Sequence, residues 1–340
     1  MKILGIETSC DETAASIVEA NEKNNSVKLL SNVISTSLAL HAKTGGIIPD
    51  IAAREQVKYM IPVLEKALEV LKSPKDEIDK VAVTVGPGLI GSLLVGVETA
   101  RTISYVWNKP IIPVNHLFGH IYANWIENVS KIEFPVIALV VSGGHTDLVL
   151  IKNHKDIKWL GGTKDDAAGE AFDKTGRLLN LPYPGGPYIE KMAVGISKDL
   201  YNFPRPMMYS KDFDFSFSGL KAAVFREVEK IGKNLNEDNV KNISYSLQEA
   251  IFEVLIKKTI NAARVYKAKS IVLGGGVAAN QTLKKYFENY INENKINAKL
   301  YIPPKNFCTD NAAMIATAGF FNNNETTYEK ISANPELYFD

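Results

Sequence analysis

The chain has 340 residues, 46% hydrophobic and 23% charged, a balance that suggests about two globular domains and excludes a stapled mini-scaffold, a collagen-like repeat and wholesale disorder. The 39 Lys and Arg offset 38 Asp and Glu to a formal charge of +1, and the few arginines (Arg54, Arg101, Arg177, Arg205, Arg226, Arg264) leave planar phosphate or base clamps scarce. Only Cys10 and Cys308 occur, with no CxxC spacing, and no apolar run is long enough for a signal peptide or a membrane span, so a cytoplasmic protein with two structural thiols is expected.

In chain order, residues 2–6 and 14–19 read as strands around the polar turn Glu7 to Glu12, with a third strand near 27–34. Val57, Met60, Ile61, Leu64, Leu68 and Leu71 keep a 3.6-residue period and predict a helix with that face in the core, kinked at Pro62. Residues 81–100 run from buried strand through a Gly-rich loop into a helix. Val136 to Val141, the turn Ser142 to Thr146 and Leu148 to Ile151 then repeat the opening hairpin. The polar run Gly232 to Asn242 reads as a solvated loop, Leu247, Ile251, Val254 and Leu255 as a core helix face, 270–287 as a second strand, Gly loop and helix, and Asn322 to Thr327 as a loop. Two halves with one grammar predict an α/β fold of duplicated ribonuclease H-like lobes, the architecture of actin, sugar kinases and chaperone ATPases.

Chemistry concentrates in a few places. His116 and His120 are four apart, which on a helix puts both imidazoles on one face, about 6 Å along the axis. They are candidate metal ligands, although hydrogen-bonded histidines share the spacing. Asp310, at the start of a small-residue helix, is the best third ligand, with helix capping as its structural alternative. Leu117 stands where an HExxH peptidase needs its general-base glutamate, so zinc peptidase chemistry is disfavoured. No GxSxG elbow, GxxxxGK[ST] or GxGxxG occurs, and Ser142 leads into a strand, so it reads as a binding residue. The loops at Gly86, Ser142 to His145, Pro184 to Gly186 and Gly274 to Gly276 suit backbone approach to a nucleotide, as they equally suit tight turns. Glu170, Asp173 and Glu190 are candidate acceptors for a ribose, with plain surface acids as the alternative, and Asn280 offers a donor and an acceptor or a helix cap.

Together GIETSCDET (5–13), NHLFGH (115–120), VSGGHT (141–146), GEAFDKTGRLL (169–179), YPGGP (183–187), GGGVAAN (274–280) and CTDNAAMIA (308–316) resemble, in order and over nearly the whole chain, the TsaD family of its bacterial type. These are tRNA adenosine threonylcarbamoyltransferases, formerly labelled O-sialoglycoprotein endopeptidases. The resemblance implies an actin-like fold and transfer of threonylcarbamoyl from threonylcarbamoyl-AMP to the N6 amine of adenosine 37 in tRNAs reading codons that begin with adenine, with AMP released. It implies one divalent metal, Fe(2+) or Zn(2+), on His116, His120 and Asp310. It also implies substrate contacts at Val140, Val141, Ser142, Gly143, Gly144, Asp173, Gly186 and Asn280, with Glu190 where only some members carry an acid. His145 is a candidate for taking the amine proton. An actin-like partner, TsaB, and a P-loop ATPase, TsaE, are implied as well. The expected lobes are 1–115 with 308–340 and 116–307, with metal and substrate between them. A nucleotide-binding regulatory subunit or a kinase of the same fold are the competing readings.

Overall fold

The computed structural model describes residues 1–126 and 132–339. Its strands are β1 (Lys2–Glu7), β2 (Glu12–Asn21), β3 (Ser26–Thr36), β4 (Lys80–Gly86), β5 (Ile111–Asn115), β6 (Val136–Val141), β7 (Thr146–Asn153), β8 (Asp156–Gly162), β9 (Ser270–Gly274) and β10 (Lys299–Tyr301). Its α-helices are α1 (Leu38–Thr44), α2 (Pro49–Leu68), α3 (Pro74–Glu77), α4 (Ile90–Trp107), α5 (His116–Tyr122), α6 (Ala168–Leu178), α7 (Gly185–Met192), α8 (Ser218–Ile231), α9 (Glu237–Val265), α10 (Gln281–Glu293), α11 (Lys305–Cys308) and α12 (Ala312–Asn322). Among the described residues no helix is long and apolar enough to cross a membrane.

Two compact units result: Met1–Ile132 with Pro303–Asp340, and Glu133–Ile302. The first holds a sheet ordered β3-β2-β1-β4-β5, antiparallel across its first three strands and parallel across β1, β4 and β5. The second, taken from its β8 edge, is β8-β7-β6-β9-β10 with the same sequence of directions. Strand for strand the sheets match, so the duplication visible in the sequence is one of topology. The expected lobe boundaries differ from these units. The α5 segment packs with α12 in the first unit, so His116 and His120 share a unit with Asp310.

In the first unit β1 and β4 are buried on both faces, which explains their nearly continuous apolar sequence. One face packs on α2 and α4 through Leu4, Ile6, Ile17, Met60, Val63 and Val97. The other packs on α12, whose residues Ala312 to Phe320 are all buried, as expected for a helix apolar on every side.

Two sequence expectations need correction. Val57 and Ile61 of α2 are 66% and 57% exposed, and the inward positions belong to Ala52, Gln56, Met60, Val63, Leu64 and Ala67. The reason is Gln56. Its Nε2 donates to the carbonyls of Thr8 (3.2 Å), Cys10 (2.9 Å) and Glu12 (3.0 Å), so a polar side chain takes a core position and sets the helix's rotation. The run Gly232 to Asn242 is not a loop but a 3-10 turn (Gly232–Asn234) joined by Leu235 and Asn236 to a helix. Asn236 and Asn239 form a reciprocal capping box that begins α9 at Glu237, a start signal hidden among polar residues. α2 runs unbroken through Pro62.

Candidate functional site

β5 delivers the chain to Asn115, whose side-chain oxygen accepts from the Leu117 N–H at 2.8 Å and starts α5 at His116. One turn later comes His120, and the two rings lie edge to face with centroids 4.6 Å apart. Both are buried, as is Leu117, so no carboxylate occupies the position that peptidase chemistry requires. Gly119 sits where a Cβ would meet Ile315 Cδ1 at 2.6 Å, and its bare backbone lets α5 lie close against α12.

α12 brings the third group. Asn311 caps it by accepting from the Met314 N–H at 3.0 Å, so the capping role open to Asp310 falls to its neighbour. Asp310 Oδ1 lies 3.3 Å from His120 Nε2 and 3.6 Å from His116 Nε2. One ligand atom from each of the three residues falls within 4.8 Å of the others. Tetrahedral ligands held at about 2.0–2.1 Å from an ion would be about 3.3 Å apart, so the cluster has the right scale. His120 Nδ1 is buried without a hydrogen-bond partner and Nε2 faces only the Asp310 carboxylate, and a buried nitrogen left unsatisfied costs about 1–3 kcal/mol unless an ion ligates it. The residues therefore fit a divalent ion.

The surroundings are acidic. Burial first, then Asp310 and Asp11, push the Glu12 carboxyl well above the usual carboxylate range. Burial followed by Asp11 raises the Cys10 thiol, and burial alone lifts Cys308 to about 11, so neither is a ready thiolate. Burial acts to lower the His116 pKa, but Asp310 and Glu7 outweigh it and hold the ring at about 9. For His120 burial prevails and lowers the pKa. Sequence reasoning passed over Glu7, although it lies inside the first motif. It is the last residue of β1, fully buried, and accepts from Ser9, Thr84 and His116.

In the second unit the proposed substrate residues fall at the end of β6, inside α6 and α7, and at the starts of α7 and α10. Val140 and Val141 are buried in β6, flanked by β7 and β9, which leaves their side chains in the core. Ser142 N–H donates to the His145 carbonyl at 2.9 Å, His145 N–H to Ser142 Oγ at 3.2 Å, and Gly169 N–H to the Ser142 carbonyl at 3.2 Å, which fixes the turn after β6. Gly143 and Gly144 are exposed, outside the left-handed region, and a Cβ on either meets nothing within 4 Å. Gly186 is similar, with only Phe172 Cβ at 3.9 Å. The fold itself does not require these three glycines.

The polar candidates also serve the fold. Asp173 Oδ1 accepts from the Gly185 N–H at 2.7 Å and so caps α7, while its own burial leads in raising its pKa against the backbone bonds. Asn280 caps α10 by accepting from Thr282 and Leu283 N–H at 2.9 and 3.0 Å and donates to Gln248 Oε1 at 3.2 Å. Glu190 Oε1 accepts from the Gln281 N–H at 2.8 Å at that same helix start. These side chains thus gather at the starts of α7 and α10. Glu170 instead pairs with Lys174.

Residues 28–317 match the model of the TsaD family, tRNA N6-adenosine threonylcarbamoyltransferase. A protein of that name from Persephonella marina is 48% identical over 323 residues, covering 94% of this chain and 90% of its own. Two solved structures share the fold at 14% identity. HypF of T.kodakarensis has a TM-score of 0.62 over 94% of this chain, which spans about half of that protein (47%). Component A of Acidaminococcus fermentans (R)-2-hydroxyglutaryl-CoA dehydratase has a TM-score of 0.52 over 97% of this chain and 98% of its own.

Proposed function

The chain belongs to the TsaD family of tRNA N6-adenosine threonylcarbamoyltransferases, and from that premise we propose how its own residues carry the transfer. The protein is an acyltransferase that places threonylcarbamoyl on the N6 amine of a tRNA adenosine, with the duplicated actin-like fold. We assign the donor as threonylcarbamoyl-AMP and the acceptor as adenosine 37 of tRNAs reading codons that begin with adenine. The amine nitrogen bonds to the carbamoyl carbon, the bond from that carbon to the phosphate oxygen breaks, and AMP leaves with the electron pair.

His116, His120 and Asp310 hold the divalent ion, and we assign iron(II), a choice that metal analysis separates from zinc(II) because this donor set suits both. A bound ion supplies Lewis acidity toward a phosphate or carbamoyl oxygen. Gly143 and Gly144 offer backbone N–H groups to the adenylate, Gly186 lets it come close to the start of α7, and His145 receives the amine proton. Val140 and Val141 contribute backbone only. Asp173, Glu190 and Asn280 serve the ribose and base from the helix starts they cap. The observation that carries the substrate reading is the steric freedom at Gly143, Gly144 and Gly186, since glycines the fold does not need have a reason in close ligand approach.

We place TsaB and TsaE as partners and the cytoplasm as the setting. The exposed apolar Val57 and Ile61 on α2 and Leu94 on α4, helices that pack together, support a protein-contact face. The test is to incubate the purified protein, with and without both partners, with unmodified tRNA, threonine, bicarbonate, ATP and the synthase that makes the adenylate. Mass spectrometry of the digested tRNA should find threonylcarbamoyladenosine, and Asp310→Ala should abolish it. Unmodified adenosine with every component present would refute the assignment.

A further inference from the structure

Glu7 is fully buried at the end of β1 and spends both oxygens on donors. Oε1 accepts from the Ser9 backbone N–H at 2.5 Å. Oε2 accepts from Thr84 Oγ at 2.6 Å and lies 3.1 Å from His116 Nδ1. A carboxylate can only accept, so in the neutral ring that a metal ligand must be, this contact puts the one proton on Nδ1 and leaves Nε2, the nitrogen 3.6 Å from Asp310 Oδ1, with its lone pair for an ion. Ser9 Oγ, 3.2 Å from the same Nδ1, shares that proton as a second acceptor. We infer that Glu7 is a positioning residue for the metal centre: it fixes the tautomer and plane of His116 so that Nε2 is the ligating atom.

The arrangement makes Glu7→Gln a sharper probe than its size suggests. The Ser9 backbone N–H can only donate, so it holds the amide oxygen of glutamine at the Oε1 position. The amide NH2 then faces Thr84 Oγ, which turns to accept, and His116 Nδ1, which must accept as well. The ring proton moves to Nε2, and the ligand lone pair is lost without any change in side-chain volume. Thr84→Val removes one donor from Glu7 but puts no donor against His116, so the tautomer stands.

The inference rests on the metal reading above, and the experiment separates the two. Zn(2+) affinity is measured on the full chain by competition with a chromophoric chelator for the wild type, Glu7→Gln, Thr84→Val and His120→Ala. Glu7→Gln should bind about 10–100-fold more weakly, the usual effect of removing a carboxylate behind a ligating histidine, and Thr84→Val should stay within about threefold. Imidazole 15N NMR of the Zn(2+)-loaded wild type, with His116→Asn to assign the signals, should show His116 protonated at Nδ1 and coordinated at Nε2. That measurement needs no Glu7 variant to fold. Coordination through Nδ1, wild-type affinity in Glu7→Gln while His120→Ala has lost binding, or equal losses in Glu7→Gln and Thr84→Val would overturn the role of Glu7. Wild-type affinity in His120→Ala would overturn the metal reading itself, and the inference with it.

Discussion

Gly5 on β1 meets α12 so closely that a Cβ there would stand 2.3 Å from the Ala312 carbonyl oxygen. That oxygen is backbone and has no rotamer in which to retreat. Gly5→Ala should therefore push back the first turn of α12, which carries Asp310 and Asn311 at its entry, and destabilise the protein by about 1–3 kcal/mol. Urea unfolding reads the stability, and chelator competition should show weaker Zn(2+) binding in the same variant.

His116 sets the pH dependence of metal binding. Its pKa of about 9 in the metal-free protein stands above the ordinary 6.5. The protonated ring therefore stabilises the metal-free fold fully below pH 6.5, and that contribution is lost as pH rises through about 9. A ligating imidazole must be neutral, so metal affinity should move the opposite way, rising over this window with release of a proton. Zn(2+) titrations across the window, monitored for proton release, check the sign. Affinity that is flat in wild type between these two values would contradict the assignment.

Removing the ion should cost stability in a concentration-dependent way. A ligand present at about 100 times its Kd stabilises the native state by about 2.7 kcal/mol. The melting temperature of the wild type should accordingly fall with chelator, while that of Asp310→Ala should not respond.

Gly143→Ala separates ligand approach from folding. The added methyl group meets no protein atom within 4 Å, so stability should stay within about 0.5 kcal/mol of wild type. Steady-state kinetics with the adenylate should nevertheless show a raised KM, because the new group occupies space reserved for ligand. An unchanged KM would move the substrate away from this turn.

Gln56→Leu keeps the apolar volume but withdraws the donor shared by the carbonyls of Thr8, Cys10 and Glu12. Buried acceptors left without donors cost about 1–3 kcal/mol. The expected result is that loss in urea unfolding, together with weaker Zn(2+) binding, since the released turn contains Ser9 beside His116.

Much of this was legible in the sequence, and the misses have physical causes. The paired hairpins and the two strand, Gly loop and helix units gave the duplication because buried strands and glycine turns leave period and composition in the chain. His116, His120 and Asp310 could be named from spacing and motif. Their common unit could not, since it depends on α5 packing against α12, a tertiary fact. Glu7 was passed over because an acid ending a strand looks like any turn residue until its partners are known. Val57 and Ile61 misled because period alone cannot tell which of two adjacent stripes faces inward when a glutamine occupies the buried one. Asp173, Asn280 and Glu190 show capping and ligand chemistry drawing on the same side-chain types.

The matched strand orders of the two sheets put their first turns in equivalent places. The turn leaving β1 and the turn leaving β6 are the same joint of one topology. In one copy that joint holds Glu7 and Ser9 against an imidazole; in the other it is stripped to Gly143 and Gly144. Each joint keeps a single trade on the same frame, so substitutions that retune cation handling need not disturb its sister.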